Sequence, residues 1–111
     1  MGSSPGWLKI ADHPNELGFG NNQIALVEVN GKKCCIGRFQ DRFFGFTHLC
    51  PHAGAPMNNG FIDPLGNVVC PLHRYKFNMK SGFNTSGEGY HLRTWPVEWL
   101  EDGVYIYMEG K

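Results

Sequence analysis

Short runs of apolar and β-branched residues, separated by glycine, proline and asparagine, extend along most of the chain. Runs of this kind, bounded by turn residues, predict β-strands. The clearest pair covers residues 23–29 and 32–39, on either side of Asn30-Gly31. Both central residues of a type I′ turn need positive φ, and Asn-Gly meets that need. The pattern therefore predicts a β-hairpin over residues 23–39.

The same criteria predict further strand pairs. They are 32–39 with 43–47 through Gln40-Asp41-Arg42, 61–62 with 68–69 through a turn at 63–67, and 97–100 with 104–108 through Asp102-Gly103. A helical pattern occurs only at residues 12–17, where Pro14 stands near the start and Gly18 follows the end. We therefore predict an all-β fold, an antiparallel sandwich or small barrel, with its chemistry in the loops.

The length of 111 residues suits a single domain over 1–111. Ten basic residues offset ten acidic ones and no run of like charge occurs, so a nucleic-acid partner is not expected.

No apolar stretch reaches the roughly 18 residues of a membrane span, and the N-terminal residues lack a signal-peptide pattern. We therefore expect a cytoplasmic protein with no membrane partner. Four cysteines in such a chain indicate thiols or metal ligands rather than disulfides.

Two predicted loops each carry one cysteine and one histidine. The first is Cys50-Pro51-His52, and the second, 17 residues after His52, is Cys70-Pro71-Leu72-His73. Thiolate and imidazole together suit zinc or iron-sulfur chemistry. Zinc modules with two cysteines and two histidines usually place like ligands next to each other, whereas each loop here is mixed. The mixed order favours an iron-sulfur centre and leaves a zinc clip as the alternative.

The pattern Cys50-x-His52, 17 residues, Cys70-x2-His73 resembles the signature of Rieske proteins, in which two histidines replace two cysteines on one iron. The surrounding residues 50–57 and 70–77 are similar to Rieske cluster loops, and 95–98 and 102–105 resemble the closing strands. The resemblance implies a Rieske-like antiparallel β-sandwich or barrel with a cluster-binding subdomain formed by two loops, at about 46–80.

The resemblance also implies one 2Fe-2S cluster, with Cys50 and Cys70 on the buried iron and His52 and His73 on the outer iron that accepts the electron. No catalytic residue is implied. The expected function is that of a monomeric electron carrier, not an enzyme, which passes single electrons from a reductase to a terminal oxygenase or a reductase subunit. Two alternatives are the small subunit of a nitrite reductase-like complex and a zinc-stabilised interaction module.

The residues implied to surround the cluster are Gly54, Ala55, Pro56, Leu72, Tyr75 and Phe77. High-potential family members resemble one another in having Ser and Tyr where this chain has Tyr75 and Phe77, and a disulfide where it has Ala55 and Leu72. The resemblance therefore implies the low-potential class, near the lower end of the reduction potentials of Rieske centres, about −150 to +300 mV.

Rieske proteins usually cover the cluster with a third loop that contains proline. Residues 81–94 contain glycines but no proline, and we predict a mobile cover there.

Other residues with reactive or aromatic side chains are interpreted as structural. Adjacent strand residues point to opposite faces, so Cys34 and Cys35 are predicted to fill the core. His48 lies two residues before Cys50, and we expect a hydrogen-bonded structural histidine, with a fifth ligand or proton partner as the alternative. We expect no site role for His13 or His91, and core positions for Trp7, Trp95 and Trp99. Arg74 could orient an acidic partner.

Overall fold

The computed structural model describes residues 6–52 and 54–108. Its strands in chain order are β1 (Trp7–Ala11), β2 (Ile24–Val29), β3 (Lys32–Phe39), β4 (Arg42–Thr47), β5 (Phe61–Ile62), β6 (Asn67–Val69), β7 (Lys76–Asn78), β8 (Thr94–Leu100) and β9 (Gly103–Tyr107). Two short 3-10 helices cover Pro14–Leu17 and Met57–Asn59. The predicted all-β class is confirmed, and the predicted helical pattern at 12–17 forms one 3-10 turn. In the described residues no helix is long and apolar enough to cross a membrane.

The larger sheet has the strand order β1-β9-β8-β4-β3-β2, and its neighbouring strands are antiparallel. In the β2–β3 hairpin Asn30 has φ 52° and Gly31 has φ 80°, which confirms the predicted turn class. The β3–β4 turn is one residue shorter than predicted. Gln40 and Asp41 both have positive φ, while Arg42 already belongs to β4 and pairs with Phe39.

The strands absent from the sequence prediction are β1, β7 and the first half of β8. Strand β1 lies at the edge of the larger sheet against β9, with Trp7 opposite Tyr107. Strand β8 begins at Thr94, three residues earlier than predicted, and Thr94 pairs with Phe46. The β1–β9 and β4–β8 pairings join distant parts of the chain, so no local turn residues predict them.

The smaller sheet, β5-β6-β7, carries the second of the two predicted ligand loops between β6 and β7. The predicted turn between β5 and β6 is confirmed: the Asp63 carboxylate accepts the backbone N–H groups of Leu65 and Asn67, both at 2.9 Å. Gly60, before β5, lies so close to β6 that a Cβ there would be 2.0 Å from the carbonyl oxygen of Val69. Close backbone packing therefore holds the residues just before β5 against β6.

The core consists of two groups of buried side chains. One lies on the larger sheet and includes Cys34, while the other lies between the two sheets and includes Cys35, Cys50 and Cys70. Cys34 and Cys35 are both 0% exposed, which confirms that they fill the core. Burial raises the pKa of the Cys34 thiol to about 11 and that of Cys35 to about 12, so both stay protonated near neutral pH.

The three tryptophans do not share one role. Trp95 is 8% exposed and belongs to the core, as predicted. Trp99 is 52% exposed, so its predicted core position is wrong. It lies near the end of β8, where its ring contacts His13 and Phe43 edge-on. Trp7 is half-buried and packs against Tyr107 at the sheet edge.

Candidate metal centre

The first ligand loop, residues 50–55, follows β4 and folds back on itself. The backbone N–H of Cys50 donates to the carbonyl of Ala55 at 2.8 Å, and the N–H of Gly54 donates to the carbonyl of Cys50 at 2.8 Å. Gly54 has φ 71°, a conformation in which glycine carries no Cβ penalty. Below the loop, the N–H of Met57 donates to the carbonyl of His48 at 2.7 Å. These bonds close the loop around Cys50 and place His52 at its tip.

The second ligand loop, residues 70–75, has the same backbone arrangement. The N–H of Cys70 donates to the carbonyl of Tyr75 at 2.8 Å, and the N–H of Arg74 donates to the carbonyl of Cys70 at 3.0 Å. Arg74 has φ 62°, so the residue four places after the cysteine is left-handed in both loops. Each cysteine therefore occupies the equivalent position in one of two matched loops.

The ligand-type side chains of the two loops converge. The ligand atoms of Cys50, His52 and Cys70 all lie within 4.8 Å of one another. His73 joins this group through His52, whose Nε2 is 2.7 Å from His73 Nδ1. Cys50 Sγ is 3.0 Å from His52 Nδ1. Both cysteines are buried, at 2% and 0% exposure, whereas His52 is half-buried and His73 is exposed.

Two tyrosines stand against the imidazoles. The ring centroid of Tyr75 lies 4.1 Å from that of His52 and 6.1 Å from that of His73. Tyr90 comes from the segment 81–94 and lies 5.7 Å from His52 and 5.9 Å from Tyr75, with which it is stacked. Sequence reasoning missed Tyr90, and its place in the predicted cover segment was the one available signal.

The residues predicted to surround the site lie within the two loops or directly after them. Ala55 is half-buried and Phe77 is fully buried in the same core group as Cys50 and Cys70. Gly54 and Pro56 are exposed, with Pro56 paired to Leu49, and Leu72 is 55% exposed. Apolar packing therefore covers the sulfur side of the site, and a more open rim surrounds the histidine side.

The remaining histidines lie outside this centre. Within residues 6–52 and 54–108, Cys50, His52 and Cys70 form the only group of three or more metal-ligating side chains that are close enough to share an ion. His48 is not a member, so its alternative role as a fifth ligand gains no support. His13 caps the first 3-10 helix, since its Nδ1 accepts the N–H of Asn15 at 3.1 Å. His13 therefore has a structural contact at the start of this helix.

Comparison with known proteins places this centre in a family. Residues 7–96 match the model of the Rieske [2Fe-2S] domain. The chain is 36% identical over 62 residues to human apoptosis-inducing factor 3, covering 56% of this chain but only 10% of that protein. It is 32% identical over 59 residues to the 3-phenylpropionate/cinnamic acid dioxygenase ferredoxin subunit of Escherichia coli K12, covering 53% of this chain and 46% of that one. The chain thus spans less than half the length of these two relatives.

Two solved structures are similar over almost their whole length. One is a chain in the complex of reduced oxygenase and oxidised ferredoxin of carbazole 1,9a-dioxygenase, with a TM-score of 0.77, 26% identity, and coverage of 97% of this chain and 98% of that chain. The other is a protein assigned as the small subunit of a nitrite reductase (NADPH), with a TM-score of 0.76, 22% identity, and coverage of 90% and 96%. The second likeness shows the fold alone.

Proposed function

Because the chain belongs to the Rieske [2Fe-2S] domain family, we propose that Cys50, His52, Cys70 and His73 hold its one 2Fe-2S cluster and that the protein carries single electrons. The observation that supports this proposal is the convergence of two matched loops, each of which contributes one buried thiol and one outward imidazole. When bound, the cluster supplies reversible one-electron storage.

The donor set fits such a cluster. Soft sulfur and borderline nitrogen ligands suit iron-sulfur chemistry, and neutral imidazoles carry less negative charge than thiolates. Cys50 and Cys70 belong to the apolar core group, so water is excluded from the sulfur side. His73 is exposed and gives a partner access to the site from the opposite side. The four residues therefore both hold the cluster and present one edge of it at the surface.

We also assign the protein to the low-potential class. Each hydrogen-bond donor aimed at a cluster sulfur favours the reduced form and raises the potential. Phe77 has no hydroxyl group to donate and is packed in the core beneath the loops. Ala55 and Leu72 supply no sulfur for a disulfide between the loops.

The proposed partners are a reductase as donor and a terminal oxygenase as acceptor. This choice is supported by the similarity to a dioxygenase ferredoxin subunit of Escherichia coli and to a chain in an oxygenase–ferredoxin complex. We propose that the protein acts as a monomeric, non-catalytic carrier in the cytoplasm, where thiols stay reduced. Its single domain would span residues 1–111, with the cluster-binding part at about 46–80.

The second candidate is a subunit role in a nitrite reductase-like complex, favoured by the fold similarity to a protein assigned as such a small subunit. In that role the chain would remain bound to a larger enzyme rather than diffuse between two partners. Size-exclusion chromatography of the protein from its native source separates the two roles. Elution as a free chain of 12.5 kDa supports the carrier, and stable elution with a larger enzyme supports the subunit.

The cofactor itself is tested by measuring iron, sulfide and zinc in the purified protein, together with its visible absorbance. We expect a coloured protein with about two irons and two sulfides per chain, which bleaches on reduction with dithionite. A colourless protein that holds one zinc ion per chain would support the zinc-stabilised module and contradict the proposal.

A further inference from the structure

Asn84, in the segment after β7, is one of two buried polar side chains among the described residues and is 3% exposed. Its Nδ2 donates to the carbonyl of Lys76 at 2.9 Å, to Ser86 Oγ at 3.1 Å and to Glu88 Oε1 at 3.0 Å. Its Oδ1 accepts the backbone N–H of Tyr90 at 3.3 Å. A buried amide that is so fully bonded fixes the segments that it joins.

The bonds of Asn84 connect β7 with the two residues that face the histidine side of the site. Lys76, which begins β7, donates its backbone N–H to Ser86 Oγ at 2.9 Å, and the Ser86 hydroxyl donates to the Glu88 carboxylate. The Tyr90 ring contacts the rings of His52 and Tyr75. One buried side chain thus holds both Glu88 and Tyr90.

Glu88 lies two residues before Tyr90, whose ring centroid is 5.7 Å from that of His52. The hydrogen bond from the Ser86 hydroxyl is the main cause that lowers the pKa of Glu88, and it outweighs the opposing effect of desolvation. The hydrogen bond from Asn84 lowers that pKa further. The carboxylate is therefore ionised at neutral pH on the His52 side of the site.

We propose that Asn84 is a positioning residue for the cluster site: it holds residues 84–90 so that Tyr90 lies against His52 and the charge of Glu88 stays beside that imidazole. This inference rests on the proposed function. A fixed negative charge near the cluster opposes the addition of an electron, so Asn84, acting through Glu88, lowers the reduction potential. The same segment screens His52 and leaves His73 as the exposed imidazole.

The test is a double-mutant cycle on the cluster-loaded protein, with the reduction potential measured by voltammetry. We expect Asn84→Ala and Glu88→Gln each to raise the potential. Because Asn84 acts through Glu88, the double variant should show a shift no larger than that of Glu88→Gln alone. Additive shifts, or an unchanged potential in Asn84→Ala, would overturn the inference.

The matched control is Asn67→Ala. Asn67 is 6% exposed and its Nδ2 donates to Asp63 Oδ2 at 3.1 Å, so it is a second buried amide bonded to a carboxylate, in the smaller sheet. We expect this variant to lose stability without a shift in potential. An equal shift in both asparagine variants would show a general loosening of the fold and would overturn the specific role of Asn84.

A second variant covers the case in which Asn84→Ala fails to fold. Ser86 is exposed, and Ser86→Ala removes its bond to Glu88 while the core side chains stay unchanged. We expect a smaller upward shift and faster amide exchange at Lys76, whose N–H loses its acceptor. No shift would contradict the inference. If the wild-type protein itself holds no Rieske cluster, the proposed function fails instead, so the two failures are distinguishable.

Discussion

The two ligand loops have the same backbone and different surroundings. In each, the cysteine N–H donates to the carbonyl five residues later, and the cysteine carbonyl accepts from the N–H four residues later. His52, however, lies against Tyr75 and Tyr90, whereas His73 is exposed. Backbone hydrogen bonds therefore define the frame of both loops, while two tyrosines, Tyr75 of the second loop and Tyr90 from outside the loops, decide which imidazole a partner can reach.

The largest expected effect comes from removing one imidazole from either loop. We expect His52→Ala and His73→Ala each to abolish the normal cluster and to lower stability by roughly several kcal/mol, because binding of the metal contributes to the free energy of folding. Visible absorbance and iron content are the measurements.

His48→Ala serves as the matched control, because His48 is half-buried beside the first loop but lies outside the group of ligand atoms. It should keep its colour and iron content. Full colour in His52→Ala or His73→Ala would show that the loop concerned does not supply its histidine.

Cys34 and Cys35 lie in strand β3, whereas Cys50 and Cys70 lie in the ligand loops. The two strand thiols make the free energy of unfolding depend on pH. Burial raises the pKa of Cys34 to about 11 and that of Cys35 to about 12, above the ordinary value of 9.0. Above pH 9 the unfolded thiols release protons that the folded thiols keep, so stability falls as pH rises from about 9 to 12. One pKa unit corresponds to about 1.4 kcal/mol, so the two thiols together predict a loss of up to about 7 kcal/mol by pH 12.

Urea denaturation at a series of pH values measures this loss. Cys35→Ala should be less stable at pH 8, because it leaves a cavity, yet show a shallower decline above pH 9. An equally steep decline in that variant would assign the pH dependence to other groups.

Gly54 and Arg74 have left-handed backbone conformations at equivalent positions of the two ligand loops. Substitutions there test whether the two loop backbones are equivalent, with a smaller effect on stability. A Cβ at Gly54 would meet nothing within 4 Å, so Gly54→Ala isolates the cost of φ 71°, about 1–2 kcal/mol. Arg74→Gly removes the Cβ penalty of the same conformation at φ 62°, but glycine loses more backbone entropy on folding. The two effects oppose each other, so we expect the free energy of unfolding to change by about 1 kcal/mol or less. Urea midpoints measure both, and destabilisation by Arg74→Gly as large as that by Gly54→Ala would break the equivalence.

The smallest expected effect concerns the potential. Phe77→Tyr places a hydroxyl group beneath the second loop, and we expect the potential to rise by an amount worth about 1 kcal/mol or less. Phe46→Tyr is the matched control, because Phe46 is equally buried and belongs to the same core group. A rise in the control but not in Phe77→Tyr would show that position 77 does not face the cluster.

The sequence predicted what short-range chemistry determines. Asn30-Gly31 predicted its hairpin because turn residues act locally. The mixed Cys-His motifs predicted the candidate site because each loop carries its own ligand-type residues. Strand β1 escaped prediction because it pairs with β9, which is distant in sequence. Strand β7 escaped prediction because its three residues, Lys76–Asn78, include only one apolar side chain. Trp99 lies on the same face of β8 as the buried Trp95 and Val97, so alternation predicts its burial, but the covered part of that face ends before Trp99.

The residues around His52 show the same limit. Tyr90 reaches the site through ring contacts with His52 and Tyr75, which are distant in sequence. The left-handed conformation of Arg74 has no glycine to signal it. The prediction that residues 81–94 are mobile stays a prediction. The bonds of Asn84 favour local order at 84–90.

Pulsed EPR of the dithionite-reduced protein tests most directly that one cluster is held by one histidine from each loop. We expect couplings from two histidine nitrogens, with a different value for each because His52 is screened by tyrosines and His73 is exposed. Couplings from a single histidine nitrogen, or none, would contradict the two-loop assignment.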